Sequence, residues 1–404
     1  MTKRNKLCSR VMVLIVALMG SMTTFAKTEK IGGIFYELDA NSKEAQVVYS
    51  DGGSANHNYV VGALVIPSTV KSDNTTYRVT SIGIMAFMAN EELTSITIPA
   101  TVKKIGKEIL LYCPSIKSIS VDAENPIYDS RNNCNAIIHT ATNELIVGCK
   151  NTVIPNTVTR IGNDAFNSAK EMTEINIPNS VTSIGSGAFG GCESLTSIKL
   201  PESITSIAEK TFDGCRELTE VGFPPNLKEI GDNAFHGCGW RVNSLTIPNT
   251  VKTIGASAFS GMVNVREIII PASVTKIDQG AFNSCSSLEK VTFMTTTPPE
   301  MTSAIFDKSV EIHVPEGCKD VYKNISNFKN CTIIDDVKVN GSGTSNSSSG
   351  NPSGNPSSGT PATGIESVNS MTTTTDKVYS VTGQRISKPV RGLNVIGGKK
   401  YMVK

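Results

Sequence analysis

The chain has 404 residues, of which 39% are hydrophobic and 18% charged, and its 38 basic and 36 acidic side chains leave a formal net charge of +2. Because the basic and acidic side chains nearly cancel, the composition does not indicate a strongly basic surface of the kind that binds nucleic acid or an anionic membrane. We therefore expect neither as a partner. The length exceeds that of one ordinary domain, but a repeat array escapes this limit because its core grows along one axis.

The first 26 residues have the order of a secretory signal peptide. Basic residues precede an apolar run from Val11 to Met19, and Thr24-Phe25-Ala26 then places small residues at two positions of a cleavage site. The run is too short to span a bilayer permanently, and no other stretch is long and apolar enough to do so. We therefore expect residues 1–26 to be removed and the mature chain to leave the cytoplasm.

Residues 27–62 are predicted to form an N-terminal strand cap. Apolar and polar side chains alternate around Ile34-Phe35-Tyr36 and Val47-Val48-Tyr49, which is typical of strands. The repeats that follow would otherwise expose a strand edge that is free to pair with another chain, and a cap covers that edge.

The middle of the chain repeats with a period of 23 or 24 residues. The period is marked by six prolines, each followed eleven residues later by a phenylalanine: Pro155, Pro178, Pro201, Pro224, Pro248 and Pro271, with Phe166, Phe189, Phe212, Phe235, Phe259 and Phe282. A fixed period of this size indicates a solenoid, in which each turn buries its apolar face only against its neighbours. The sequence therefore predicts a β-rich solenoid over residues 63–338 with short strands, tight turns and about nine turns in all.

Each repeat combines a strand with an apolar plug. Leu195, Ile198 and Leu200 have strand-like spacing, and Pro201 ends that strand because it lacks the N–H that a ladder needs. The phenylalanine, Phe212 in this repeat, is expected to point inward from the opposite wall. Residues 122–150 do not keep the period, and we expect them to form a hairpin inserted between turns.

Nine cysteines remain after the predicted cleavage. Five of them follow the phenylalanine position, or its equivalent, by three residues and are expected to be small buried hydrophobes in a ladder: Cys113, Cys192, Cys215, Cys238 and Cys285. Two other pairs could each close a short loop as a disulfide, Cys134 with Cys149 and Cys318 with Cys331, and the sequence leaves this open. Because no Cys-x-x-Cys occurs and the four histidines are scattered, we predict no metal site and no cofactor.

Sequence motifs for catalysis are missing, so we predict that the chain is not an enzyme. The segment Gly185-Ser-Gly187-Ala-Phe-Gly190 matches a dinucleotide-binding fingerprint in its letters. It lies inside a repeat, however, and sister repeats replace its glycines, whereas a phosphate loop needs a preceding strand and a following helix. No nucleophile elbow, zinc-protease motif or calcium loop occurs.

The outward positions of the repeat strands are the remaining candidate site. They form a ladder of small polar side chains with mixed charge: Glu174, Asn176, Ser197, Lys199, Glu220, Ser244, Thr246, Glu267, Lys290 and Thr292. Such a face suits a polypeptide or a glycan, and it is equally compatible with a solvated sheet that binds nothing. Trp240, next to the one-residue expansion at Gly239, is expected to cover a local gap, the alternative being an exposed contact residue.

The C-terminal part changes in composition. Gly, Ser, Asn, Pro and Thr dominate residues 339–364, which predicts a flexible linker. Alternating apolar residues return in 365–404, around Val378–Ile386 and in two short segments after it, and predict a small β-rich unit.

The repeat unit Leu-x-x-Ile-x-Ile-Pro-x-x-Val-x-x-Ile-Gly-x-x-Ala-Phe-x-x-Cys resembles the BspA-type leucine-rich repeat of bacterial surface proteins over residues 60–335. The insertion with Asn125-Pro-Ile-Tyr128 is similar to that family as well. The tail, 365–404, resembles the C-terminal sorting domains of the type IX secretion system, although the frequent Gly-x-Tyr element reads Gly392-Leu-Asn394 here.

These resemblances imply a curved leucine-rich-repeat solenoid on the outer-membrane surface or outside the cell, with a tail that the secretion machinery reads. They also imply adhesion, with host matrix proteins or the surfaces of other bacteria as partners. Two alternatives stay open at this point. One is an envelope scaffolding protein without an external ligand, and the other is a surface protein that captures glycans.

Overall fold

The computed structural model describes residues 27–49 and 58–339 and, beyond them, the backbone of five short strands between residues 366 and 403. The predicted signal peptide, residues 1–26, lies outside the described residues. The predicted linker, residues 339–364, also lies outside them except for residue 339. The chain divides into two compact units, Met1–Asn340 and Gly341–Lys404, which are described separately.

The first unit is a β-solenoid of about 11 turns with almost no helix. The predicted fold class is therefore confirmed, but the predicted number of turns was too low because the outermost turns lack the proline and phenylalanine signals. Within residues 27–49 and 58–339, its helical segments are α1 (Lys319–Lys323) and two 3₁₀ turns, Arg131–Asn133 and Ser326–Phe328. Its strands, in chain order, are β1 (Lys27–Ile31), β2 (Ile34–Asp39), β3 (Glu44–Val48), β4 (Gly62–Val65), β5 (Thr69–Ser72), β6 (Thr75–Ile82), β7 (Leu93–Ile98), β8 (Lys104–Ile105), β9 (Ser118–Val121), β10 (Tyr128–Asp129), β11 (Ala136–His139), β12 (Glu144–Gly148), β13 (Arg160–Ile161), β14 (Ser183–Ile184), β15 (Ser197–Lys199), β16 (Ser206–Ile207), β17 (Glu220–Gly222), β18 (Glu229–Ile230), β19 (Ser244–Thr246), β20 (Thr253–Ile254), β21 (Glu267–Ile270), β22 (Lys276–Ile277), β23 (Lys290–Phe293), β24 (Glu300–Met301), β25 (Glu311–Pro315) and β26 (Thr332–Val337).

Parallel strands stack along the solenoid in two rows. The first row contains the strand that opens each repeat and includes the pair β15–β17 and the sheet β19–β21–β23–β25–β26. The second row is β16–β18–β20–β22–β24, and its first four strands come from a segment after each proline in which an isoleucine follows another aliphatic residue by three positions. Residues one repeat apart lie directly opposite each other, as Ser197 does with Glu220. The sequence period thus becomes a spatial ladder.

At the N-terminal end, β1, β2 and β3 form an antiparallel meander, and β3 pairs in parallel with β6. Asn58 joins this meander to the solenoid and is fully buried. Its side-chain oxygen accepts the N–H of Phe35 at 2.7 Å, and its amide nitrogen donates to the carbonyls of Val48 and Ala86 at 2.6 and 2.7 Å. No sequence pattern marks this residue, because its partners are distant in the chain.

Residues 122–150 contain three antiparallel strands, β10, β11 and β12, and β12 then pairs in parallel with β13 to resume the second row. Asn125 anchors the start of this segment. Its amide nitrogen donates to the carbonyls of Pro99 and Val102 at 3.0 Å, and its oxygen accepts the N–H groups of Ile127 and Tyr128 at 3.0 and 2.9 Å. The side chain thereby satisfies backbone groups that the broken period leaves unpaired.

The core is a stack of phenylalanine rings on the loop wall, the side of the solenoid formed by the turns that carry the Ala-Phe pair. From Phe166 to Phe282 the rings of neighbouring turns stack with centroids 5.2–5.7 Å apart and planes within 12° of parallel. Trp240 is 4% exposed and contacts Phe235 and Phe259, which confirms the prediction that it covers a gap.

The cysteine ladder is also confirmed. Its five members are buried, and each thiol donates to the carbonyl of the phenylalanine one turn earlier at 3.1–3.4 Å, including Cys113 to Phe87. Cysteine suits this position because a small apolar side chain still supplies a weak donor. All nine cysteines of the described residues are free thiols, so neither of the two disulfide candidates is bonded.

The residues that the structure describes in the second unit form five short strands: β27 (Glu366–Ser367), β28 (Val378–Ser380), β29 (Arg385–Ile386), β30 (Gly392–Ile396) and β31 (Lys399–Val403). They form one sheet in the order β27–β31–β30–β28–β29. The pairs are antiparallel except β27 with β31, which is parallel.

Candidate functional site

The strand face is the outward side of the first strand row, and it presents two lines of side chains. One line contains Ser197 opposite Glu220, and further along the chain Ser244, Glu267 and Lys290 on successive strands. The second line lies two residues further along each strand and contains Lys199 in β15 and Thr246 in β19. Parallel pairing in exact register creates these lines, since a one-residue slip would turn every one of these side chains into the core.

Most of the predicted site residues are accessible. Seven of the ten are exposed: Glu174, Asn176, Ser197, Lys199, Glu220, Ser244 and Thr246. Glu267 and Lys290 are half-buried, because they form an ion pair with 3.0 Å between Nζ and Oε1. Thr292 departs from the predicted ladder: it is 8% exposed, since Ile269 and His313 flank it on the neighbouring strands. A partner could contact the other nine residues but hardly Thr292.

Glutamate recurs at every second turn in the first line. Glu174, Glu220 and Glu267 are continued by Glu311, which lies opposite Lys290 and whose side chain is 61% exposed. Since adjacent strands lie about 4.8 Å apart, the carboxylates repeat at roughly 10 Å. We call Glu174, Glu220, Glu267 and Glu311 the acidic row. Sequence reasoning missed Glu311 because it lies in a degenerate repeat without the usual spacing.

The acidic row crosses a discontinuity in the backbone ladder. No strand pairing joins β17 to β19, and the sheet order restarts at β19. The cause is the extra residue of this repeat, where Gly239 passes so close to the preceding turn that a Cβ would lie 1.6 Å from the carbonyl oxygen of Arg216. Beside it, Arg241 bonds Glu217 across the two turns at 2.8 Å. The strand face therefore has two segments that meet at Gly239.

The ladder cysteines of the first unit are shielded by burial. Burial raises the pKa of the Cys113 and Cys215 thiols to about 12, so these groups stay protonated and are poor nucleophiles at neutral pH. Within residues 27–49 and 58–339, no three side chains of the metal-binding types come together. In the same part of the chain, no helix has the length and apolar character to cross a membrane.

A sequence profile described as the BspA type leucine rich repeat region matches the chain in three stretches, 68–146, 144–241 and 229–349, which together span most of it. No curated protein matches the chain significantly.

Several solved structures are similar in fold. A leucine-rich repeat protein from Bacteroides ovatus is 22% identical, with 72% of this chain and 86% of that chain covered and a TM-score of 0.44. A leucine-rich cell surface protein from Faecalibacterium prausnitzii is 21% identical, with 78% and 96% covered and a TM-score of 0.38. The pneumococcal vaccine antigen PcpA is 14% identical, with 78% and 100% covered and a TM-score of 0.40.

Proposed function

Since the chain belongs to the BspA-type leucine-rich repeat family, we propose that it is a cell-surface adhesin-like protein. In this proposal the strand face binds proteins of the host matrix or of other bacterial surfaces. Solenoids of this kind typically serve as non-enzymatic scaffolds for protein interaction, because stacked repeats build an extended surface whose exposed positions vary independently of the core.

The acidic row is the observation that carries this proposal. Carboxylates that recur at every second turn attract a partner that carries several basic groups, which increases both association rate and specificity; that of Glu267 is already paired with Lys290, so Glu174, Glu220 and Glu311 supply most of this attraction. Ser197 and Ser244, which lie beside glutamates of the row, are small and exposed and leave these carboxylates accessible to a protein. The predicted site residues include no aromatic side chain, whereas a sugar-binding face usually offers rings for stacking, so a protein partner fits better than a glycan.

Reversing the charge of the acidic row should abolish binding without unfolding the solenoid. We expect the variant Glu174→Lys, Glu220→Lys, Glu267→Lys to lose at least tenfold in affinity for matrix proteins or bacterial cells, because each exposed charge pair contributes about 0.2–1 kcal/mol and repulsion replaces it. The measurement is surface plasmon resonance of the mature protein on immobilised matrix proteins, together with a cell-binding assay.

The matched control is Glu202→Lys, Glu229→Lys, Glu300→Lys, which changes the net charge equally at exposed positions away from the strand face. Its binding should stay within twofold of the wild type at physiological salt, and both variants should melt like the wild type. Equal losses in the two triple variants would show that only net charge matters. If the folded wild-type protein binds none of the matrix proteins and no bacterial cells, a scaffolding role is favoured.

We also propose that residues 365–404 direct export to the cell surface. The tail belongs to a compact unit distinct from the solenoid, so its removal should leave the solenoid folded. In a bacterium that carries the type IX secretion system, the protein without 365–404 is expected to accumulate in the periplasm. Immunolabelling of intact cells and fractionation measure this. A chain that lacks 341–364 but keeps the tail is the control, and surface labelling that survives loss of the tail would contradict the proposal.

A further inference from the structure

The first strand row is not held together by its backbone between β17 and β19. One turn earlier the row is closed: β15 pairs with β17, and Thr219 donates its N–H to the carbonyl of Thr196 at 2.9 Å. Among the described residues, no backbone hydrogen bond joins 217–223 to 241–247. We call this unpaired border of the two strands the β17–β19 boundary.

The other two walls of the solenoid stay closed at the same level. In the second row β18 pairs in parallel with β20. On the loop wall the N–H of Phe235 donates to the carbonyl of Ala258 at 2.8 Å. The interruption is therefore confined to the strand face, where it changes the surface without dividing the solenoid.

On one side of the boundary, a valine is exposed at a position that is otherwise part of the core. Val242 occupies the place that Leu218 and Val265 hold in the neighbouring turns. Those two side chains are fully buried, whereas Val242 is 37% exposed. Trp240, two residues earlier, packs on the phenylalanine stack at this level and is itself 4% exposed. The extra residue of this repeat thus leaves Val242 at the surface.

On the other side of the boundary, two further core positions are partly open. Val221 and Phe223 are half-buried, although their equivalents one turn earlier, Ile198 and Leu200, are buried. Since Val221 is paired with Ile198 on the side of β15, solvent reaches it from the side of β19. Apolar side chains that are left partly exposed favour a partner that removes them from water.

The outward residues of β17 define the charge and shape beside these apolar groups. Glu220 is exposed and has no ionic partner in the described part of the chain, whereas Glu217 is neutralised by Arg241 at 2.8 Å across the boundary. Gly222, the next outward residue, offers no side chain, so a partner can approach the strand closely here. The surface is therefore apolar with one available negative charge.

We propose that the β17–β19 boundary is the place where a protein partner of the strand face buries an apolar side chain, aliphatic or aromatic, while a neighbouring lysine or arginine pairs with Glu220. The boundary lies in the middle of the acidic row, between Glu220 and Glu267. Contacts that dominate the binding energy typically have this composition, an apolar centre surrounded by polar and charged groups. The inference rests on the proposed function, because it identifies one contact of a partner that the strand face binds.

The test uses the mature full chain and two synthetic peptides of fifteen residues without tryptophan. Lysine and serine alternate in the outer parts of both; one has leucine, phenylalanine and leucine at its centre, and the other has serine at these three places. Fluorescence polarisation should show saturable binding of the apolar peptide and at least tenfold weaker binding of the serine peptide. Trp240 is the only tryptophan of the chain, so its emission should change with the apolar peptide alone.

The variant Val242→Thr keeps the shape of the side chain and replaces a methyl group with a hydroxyl group. It should weaken binding of the apolar peptide about fivefold or more and leave binding of the serine peptide unchanged, because the apolar contact is lost and the charges remain. The matched control is Val321→Thr, the same change at a 52% exposed valine of α1 near the C-terminal end of the solenoid. It should bind like the wild type.

Four results overturn the inference: equal binding of the two peptides, no binding of either, unchanged Trp240 emission at saturation, or equal effects of the two valine variants. The strand-face proposal is tested separately, by charge reversal of the acidic row and binding to matrix proteins and cells. If the charge reversal abolishes that binding while Val242→Thr leaves the apolar peptide bound as in the wild type, the strand-face proposal stands and the present inference fails.

Discussion

Replacing Phe235 with alanine is expected to lower the free energy of unfolding by about 3–5 kcal/mol. The ring is fully buried and stacks on Phe212 and Phe259 in the neighbouring turns, 5.3 and 5.4 Å between centroids. It also contacts Trp240 and Phe223. The cavity left by its removal opens in the middle of the stack, where the backbone ladder cannot contract because hydrogen bonds fix the spacing of the turns.

The effect should be visible in the shape of the unfolding curve as well as in its midpoint. In a solenoid each turn contacts only its neighbours, so weakening one central interface allows the two halves to unfold separately. Urea denaturation followed by circular dichroism should therefore show a lower midpoint and a broader, or two-step, transition. Phe223→Ala is the control, since this ring is only half-buried and should cost clearly less. A single transition with an unchanged midpoint for Phe235→Ala would contradict the conclusion that the phenylalanine stack is the main core of the solenoid.

Replacing Asn58 with alanine should open the N-terminal strands while the rest of the solenoid stays folded. The substitution leaves the N–H of Phe35 and the carbonyls of Val48 and Ala86 without their side-chain partner in a fully buried site. A buried polar group left unpaired costs roughly 1–3 kcal/mol, so the total should be about 3 kcal/mol or more. This exceeds what a small meander at the end of a repeat array is expected to withstand, because only one neighbour supports it.

Limited proteolysis and hydrogen exchange measure this local opening. We expect cleavage and fast exchange within residues 27–48 of the variant and unchanged protection around the phenylalanine stack. Asn41→Ala is the control, because Asn41 is an exposed asparagine in the turn between β2 and β3 whose side chain takes no part in the junction. Uniform loss of protection along the whole solenoid would mean that Asn58 supports global stability and not the junction alone.

Much of the fold was predictable because it is periodic. The spacing of Pro201 and its sister prolines, together with the phenylalanines, is enough to predict a solenoid, since no other arrangement buries one apolar stripe per repeat at a constant interval. The same reasoning predicted that the five ladder cysteines are buried and that Trp240 fills the gap beside Gly239. Each of these positions is determined by its neighbours one repeat away, and that distance can be read from the sequence.

The candidate sites were less predictable, for a physical reason that differs between them. Thr292 has the sequence spacing of an exposed strand residue, but the neighbouring strands supply Ile269 and His313, which cover it. Glu311 completes the acidic row although its repeat is too degenerate for its place to be recognised from spacing.

The sequence by itself determined the repeat, the direction of each side chain and the buried stack, because these depend on contacts between residues one period apart. Only the tertiary structure decided what happens where the period fails. Asn58 became the junction of the cap, and Gly148 stands in for a missing turn, because backbone groups there must find partners that are distant in the chain. Asn58 accepts the N–H of Phe35, and Gly148 donates its N–H to the carbonyl of Ala165, and no local sequence pattern records either of these hydrogen bonds.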